Sequence, residues 1–368
     1  MRIALLAHPR YPIRPPFMGG MEAHAWNLAK GLTERGHDVT VFASGDSDPT
    51  LQVHPVLPIH YEDGWPAGDW HGTDELNAFT DRLWADAIPA IRSGGFDVAH
   101  NNTVHRFPPR LSCHARVPMV TSLHVPPFEV LRRAVHDSEA PWHIVTVTSA
   151  QQRARWWQDA PPTARVVPNG IDPSLWPFAP EGDGSAVWAG RIHPNKGTGF
   201  AARAARAAGF PLRIYGTIED PSYYEAEVEP HLGGDVVYGG HLGGHELAAA
   251  LGRASVLLFT PMWDEPFGLA AIEGMACGLP VAAFRNGAVE EVVGPCGRYA
   301  EPGDVGGLAS AMRAALEMDR HASRARVEAC FSLRRMIASY EALYAEAAGA
   351  RDADWPEAEY TPRELAAV

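Results

Sequence analysis

The chain has 368 residues, enough for two substantial hydrophobic cores. Hydrophobic residues make up 46% and charged residues 20%, a composition that is neither disordered nor fibrous. Asp plus Glu number 44 against 31 Lys plus Arg, a formal charge of -13, so the basic footprint of a nucleic-acid partner is missing.

Short apolar runs alternate with longer amphipathic stretches along the chain. In the first half, strands are predicted at 3–7, 39–43, 97–99, 119–122, 144–148 and 166–167. Helices are predicted between them at 21–35, 74–91, 129–136 and 150–157. The second half repeats the rhythm, with strands at 186–189, 212–215, 236–238, 256–259, 281–284 and 298–299. Its helices are predicted at 199–208, 223–229, 245–251, 269–276, 305–315 and 333–348. Alternation of this kind predicts α/β architecture with parallel sheets covered by helices on both faces. The Pro-rich stretch from Pro161 to Gly184 is the natural place for the boundary between two such domains. Arg351 to Val368 is polar and Pro-broken and reads as a loosely ordered tail. Arg203–Arg206, in an Ala/Arg stretch, reads as a solvated helix face.

The cysteines, Cys113, Cys277, Cys296 and Cys330, form no CxxC pair, so neither a disulfide scaffold nor a zinc site is indicated. The apolar run after Arg2 is too short for a signal peptide, and no stretch approaches the ~20 apolar residues of a membrane span. A soluble, cytoplasmic protein is expected. Only two of the basic residues are lysines, Lys30 and Lys196.

Open parallel sheets bind ligands at the carboxyl ends of their strands, so the strand-to-helix turns are the places for chemistry. After the first strand, Gly19 and Gly20 open a helix, where backbone N–H groups can approach a phosphate. A plain loop cap fits that pair equally well, and no G-x-G-x-x-G follows the strand. A second turn runs from Gly190 and Arg191 to Lys196, offering a fork of donors and a point charge to an anion; a solvated loop is the alternative there. The third, after 256–259, reads Pro261-Met262-Trp263-Asp264-Glu265-Pro266-Phe267-Gly268-Leu269 and continues to Glu273. Pro266 suits a first helical position, which puts Glu265 at the helix mouth and Glu273 about two turns deeper. The two carboxylates are therefore spaced for hydroxyls at separate points of an extended ligand, not for a tight acid–base dyad.

These turns, together with Pro168-Asn169-Gly170-Ile171-Asp172 and the run Arg35-Gly36-His37-Asp38-Val39, resemble the retaining glycosyltransferases of family 4. The likeness spans residues 1 to 348 in the expected order. It implies a GT-B fold: two doubly wound, Rossmann-like domains facing a central cleft. The N-terminal acceptor-binding domain would comprise 1–168 plus a returning helix at about 331–349. Residues 169–330 would bind the nucleotide sugar, with a tail at 350–368. The resemblance assigns the donor's diphosphate to Arg191 and Lys196, and to Gly19 and Gly20 from the other domain. It assigns the donor sugar to Glu265, to the N–H groups of Phe267, Gly268 and Leu269, and to His124. The ribose falls to Glu273, and the base to the backbone around Gly216, His241 and Leu242. Asn169 and Gly190 complete the donor set. The family's double glycine before a late glutamate reads Gly287-Ala288 here, and Glu291 aligns with that glutamate.

The expected activity is metal-independent transfer of a hexose from a nucleotide diphosphate sugar, UDP favoured and GDP next, to a small-molecule or glycan acceptor. No cofactor is expected. Asp46-Ser47-Asp48 and Asp352-Ala353-Asp354 read as solvated loops, not Mg2+ ligands. Trp65, Trp70, Trp84, Trp142, Trp156 and Trp157, with 12 of the 17 histidines, precede Pro168, a richness compatible with an aromatic or polar acceptor. A sugar-nucleotide epimerase, a non-catalytic nucleotide-sugar binding subunit and a Rossmann dehydrogenase share parts of the pattern. Arg153-Ala154-Arg155-Trp156-Trp157 reads as a mixed helix in preference to a membrane contact.

Overall fold

The computed structural model describes residues 1–63 and 72–354. Trp65, Trp70 and the tail from Trp355 onward lie outside the described residues. The chain divides into two compact units. The first comprises Met1–Val167 with the chain from Met336 onward, and the second Pro168–Arg335.

The first unit carries a seven-stranded sheet in the order β3-β2-β1-β4-β5-β6-β7. Its strands are β1 (Arg2–Ala7), β2 (Asp38–Ser44), β3 (Val53–Leu57), β4 (Val98–Asn102), β5 (Met119–Leu123), β6 (His143–Val147) and β7 (Ala164–Val166). Every pairing is parallel. β1 is an unbroken apolar run from Ile3 to Ala7, as a strand buried on both faces should be, while β4, β5 and β6 are as deeply buried yet carry His100, Asn101, Asn102, Thr121, Ser122, His143 and Thr146. Helices α1 (Gly20–Glu34), α2 (Asp74–Ser93), α3 (Phe107–Ala115), α4 (Glu129–His136) and α5 (Ala150–Trp156) connect them. Trp156 and Trp157 are buried at 0% and 4% exposure in the cluster under α4 and β6, so neither is available to a membrane. The Asp46-Ser47-Asp48 loop is not a solvated one: Asp46 pairs with His60 at 2.7 Å, Ser47 is buried, and Asp48 accepts Trp26 Nε1 at 2.7 Å.

The second unit repeats the plan with six parallel strands in the order β10-β9-β8-β11-β12-β13. They are β8 (Ala186–Ala189), β9 (Leu212–Tyr215), β10 (Val236–Tyr238), β11 (Val256–Phe259), β12 (Val281–Phe284) and β13 (Gly297–Ala300). Helices α6 (Thr198–Ala208), α7 (Gly244–Arg253), α8 (Leu269–Ala276), α9 (Val289–Val293), α10 (Val305–Ala315) and α11 (Arg320–Cys330) cover them. The Ala/Arg stretch is only half solvated: Ala201, Ala202, Ala204 and Ala205 of α6 are fully buried, which lets the helix lie close on the sheet. The helix predicted at 223–229 is mainly a π-helical turn, Tyr224–Val228.

Helix α12 (Leu333–Gly349) leaves the second unit and joins the first. Gly31 of α1 leaves room for Ile337, since a Cβ there would sit 2.1 Å from Ile337 Cδ1. Arg35 Nη2 and His37 Nε2 reach Glu341 at 2.7 and 2.9 Å. The buried Tyr340 and Tyr344 reach the sheet itself: Tyr340 Oη lies 3.0 Å from Ser122 Oγ, and Tyr344 Oη 2.5 Å from His100 Nδ1. Among the described residues no helix is long and apolar enough to cross a membrane.

Candidate active site

In both sheets the strand order reverses beside the first strand, between β1 and β4 and between β8 and β11. Loops leaving such a pair splay apart, and the crevice at their carboxyl ends is where doubly wound sheets take ligands. Gly19, Gly20 and Asn102 lie at that edge of the first unit; Gly190 to Lys196 and Thr260 to Gly268 lie at that edge of the second.

In the second unit the two loops are stitched together. Thr260 Oγ1 accepts Trp188 Nε1 at 3.0 Å and lies 2.9 and 3.1 Å from the carbonyls of Lys196 and Gly197. Met262 N–H donates to the Asn195 carbonyl at 2.8 Å. Gly197 has φ 66°, and a Cβ there would stand 2.2 Å from the Thr260 carbonyl, so only glycine allows the approach. The outcome is that Lys196 Nζ donates to Glu265 Oε2 at 2.7 Å and lies 4.8 Å from the centre of the Trp263 ring, whose Nε1 donates to the same oxygen at 2.7 Å. Glu265 is 6% exposed. Its backbone is gripped by the following loop: Ala288 N–H donates to its carbonyl at 2.8 Å, and a Cβ on Gly287 (φ 63°) would lie 2.3 Å from its nitrogen. Of the Gly287-Ala288 pair, then, only the first position needs glycine; Ala288 sits at φ -80°.

Arg191 donates through Nη1 to both oxygens of Glu219, at 2.6 and 2.5 Å. Gly190 and Gly216 meet backbone to backbone, with Gly190 N–H on the Tyr215 carbonyl at 3.0 Å and Gly216 N–H on the Gly240 carbonyl at 2.9 Å. His241 is exposed, its Nδ1 lying 3.3 Å from Thr217 Oγ1, while Leu242 packs against the core. Phe267 is buried, and Gly268 (φ 101°) precedes α8 with no side chain capping the helix, so the N–H groups there face no capping oxygen. Glu273 stands in the second turn of α8, where burial pushes its carboxyl up to about 7. Asn169 is buried with its Oδ1 unpartnered, and no hydrogen bond among those described links it to Lys196 or Glu265.

His124 belongs to the first unit, just after β5. Its ring lies 4.5 Å from that of His24 on α1, and its Nε2 is 2.7 Å from Asn102 Oδ1. Burial holds the His124 imidazole down at about 4. Among the described residues no group of three or more His, Cys, Asp or Glu side chains is placed to hold a metal ion.

Sequence reasoning overlooked Glu219, Thr260 and Asn102 and gave Trp263 no role. Glu219 and Asn102 carry no local pattern, and the side chains they touch, Arg191 and His124, come from the loops of neighbouring strands. Trp263, two residues before Glu265, was the readable one.

Two doubly wound units, with parallel sheets of seven and six strands, are the architecture of the GT-B glycosyltransferases. AviGT4, a glycosyltransferase involved in avilamycin A biosynthesis, superposes with a TM-score of 0.71 at 22% identity, over 95% of this chain and 98% of that one. Anabaena Alr3699/HepE, solved with UDP and glucose, gives 0.73 at 18% identity, over 93% and 99%. Residues 18–175 match the family described as Glycosyltransferase Family 4, and 184–318 match Glycosyl transferases group 1. A glycogen synthase of Mycobacterium tuberculosis is 28% identical over 377 aligned residues, covering 88% of each chain. A phosphatidyl-myo-inositol mannosyltransferase of Mycolicibacterium smegmatis is 27% identical over 327, covering 82% of each. The chain belongs to glycosyltransferase family 4 and is a sugar-transferring enzyme.

Proposed function

We propose that the enzyme moves a hexose from a nucleotide diphosphate sugar, a UDP-sugar before a GDP-sugar, to a small-molecule or glycan acceptor, with retention at the anomeric carbon and without a metal. The observation that carries this reading is the 2.7 Å pair of Lys196 and Glu265 at the strand reversal. A cation for the leaving phosphate and an acceptor for sugar hydroxyls stand side by side there. As the anomeric C–O bond breaks, negative charge grows on the diphosphate. Lys196, Arg191 and the uncapped N-terminus of α8 are fixed donors for that charge, each in place before the reaction begins. Glu265 is already bonded to two donors, which leaves it suited to orienting hydroxyls more than to attacking carbon, and so favours front-face attack over a covalent glycosyl intermediate. Glu273, deeper on α8, takes the ribose. From the first unit, the family likeness assigns Gly19 and Gly20 to the diphosphate and His124 to the donor sugar. Relatives with UDP and glucose bound favour uridine. The cysteines of the chain are unpaired, which suits a reducing compartment such as the cytoplasm.

Thermal melting with UDP, GDP, ADP and TDP, each with and without EDTA, tests the reading. A ligand at a hundredfold over its Kd adds about 2.7 kcal/mol of stability. UDP should raise the melting temperature equally in both buffers. A shift abolished by EDTA would overturn the metal-free mechanism, and no shift from any nucleotide would overturn the donor assignment.

A further inference from the structure

An amide oxygen accepts hydrogen bonds and never donates them, so the partner of Asn102 Oδ1 must bring the proton. That partner is His124 Nε2, at 2.7 Å. A neutral imidazole carries one N–H; with the proton on Nε2, the Nδ1 of His124 presents a lone pair. The surroundings keep the ring neutral. His24 of α1 lies edge-on at 4.5 Å between ring centres, and His100, two residues before Asn102 on β4, shares the His24 neighbourhood at 6.5 Å. His100 is itself held by Ser122 Oγ at 2.8 Å and by Tyr344 of α12. Tyr340 of α12 packs on both His24 and His100, and Glu22, buried in the first turn of α1, lies two residues before His24 along the chain. Among the described residues no carboxylate is hydrogen-bonded to the His124 ring. Asn102 ends β4, beside β1 at the strand reversal, and its Nδ2 is buried without a hydrogen-bond partner among the described residues.

We propose that Asn102 is a positioning residue for sugar transfer: it locks His124 as the neutral Nε2–H tautomer, so that Nδ1 accepts a hydrogen bond from a hydroxyl of the donor sugar. The proposal rests on the reading of His124 as a donor-sugar contact. It explains why an uncharged amide stands where a carboxylate, the commoner partner of a functional histidine, would turn the ring into a cation with no acceptor left.

Protein labelled with 15N-histidine tests it, the His124 signals being assigned by their loss in His124→Gln. The expected spectrum has a pyrrole-type Nε2 and a pyridine-type Nδ1, unchanged between about pH 8 and about pH 5, since a ring held near 4 stays neutral there. A proton on Nδ1 instead would overturn the proposal. In Asn102→Leu the preference for the Nε2–H tautomer should be lost, and in Asn102→Asp the ring should become protonated at neutral pH, because a nearby carboxylate favours the charged form. Wild-type signals in both variants would overturn it; should either fail to fold, the wild-type spectrum still decides. Adding UDP-glucose should move the Nδ1 resonance while UDP alone leaves it in place. Equal effects of the two would sink the reading of His124 as a sugar contact, whereas the tautomer result stands or falls on its own.

Discussion

At the scale of single residues the site is a set of charges already paired before any ligand arrives. Removing Lys196 leaves the Glu265 carboxylate, among the described residues, with Trp263 as its side-chain partner and, on the function proposed above, removes a fixed donor to the diphosphate. Lys196→Ala should slow transfer by about 3 kcal/mol, a hundredfold or more, and should also lower the melting temperature, because Glu265 is left a buried carboxylate without its cation. Turnover near the wild-type rate would end the role of Lys196 as an anion clamp. The neighbouring glycine gives a sharper contrast. Gly287→Ala forces a Cβ against the Glu265 backbone at a positive φ and should cripple transfer, whereas Ala288→Gly should leave it within about twofold, as steady-state rates will show. Glu273 links stability to pH. Between its ordinary 4.5 and the folded value of about 7, the unfolded chain has lost the proton that the folded chain keeps. Folding stability therefore falls as pH rises across that window, by at most about 3 kcal/mol, and less because the carboxyl is not fully enclosed. Glu273→Gln should accordingly melt higher than wild type at about pH 8 and alike at about pH 4, while binding nucleotide more weakly. How far the site could be read beforehand follows from distance along the chain. Glu265 and Glu273 share one short motif and were visible in it. Lys196, which meets Glu265, and Glu219, which meets Arg191, stand on the loops of other strands, 69 and 46 residues before Glu265, so only the order β9-β8-β11 tells which side chains meet.

At the scale of elements, the strands that could be read were those buried on both faces. Val256–Phe259 and Val281–Phe284 are continuous apolar runs and fall where the pattern puts them. β3 escaped because it is an edge strand, half exposed, carrying His54 and Pro55 in five residues. α3 was hidden by Pro108 and Pro109, which read as breakers although they occupy the first turn, where a missing N–H costs nothing. α11 was hidden by polarity: Ser323 and Val327 are its buried residues, and its arginines do the packing. Arg324 Nη1 donates to the carbonyls of Pro173, Trp176 and Ala276, and Arg320 to those of Ala179, Ala254, Gly252 and Cys277. These two side chains tie the Pro-rich stretch between the units to the ends of α7 and α8. Arg324→Met keeps the apolar stem but orphans three carbonyls, and should cost about 2–4 kcal/mol in urea unfolding of the second unit. A loss below about 0.5 kcal/mol would show that water replaces the guanidinium.

At the scale of the whole molecule, the chain crosses between units twice, once at Pro168 and again along α12. The second crossing is the more consequential. Tyr340, Tyr344 and Ala347 of α12 are fully buried in a unit whose other residues all precede Pro168. A chain ending at Arg335 should therefore keep amide-exchange protection across β8–β13 and lose it across β4–β6, where His100 and Ser122 would be left facing solvent. Equal protection in both sheets would mean that α12 only decorates the first unit. The same arrangement dictates what happens as the polypeptide leaves the ribosome. Residues 1–167 emerge first yet wait for α12 to finish them, while Pro168–Arg335 has all its own strands and helices to hand before α12 appears. At ordinary translation speeds the wait lasts roughly 10–40 seconds. The unit made first is thus completed last, and for that interval its unfinished apolar and histidine-rich face is the part of the nascent chain that most needs a chaperone.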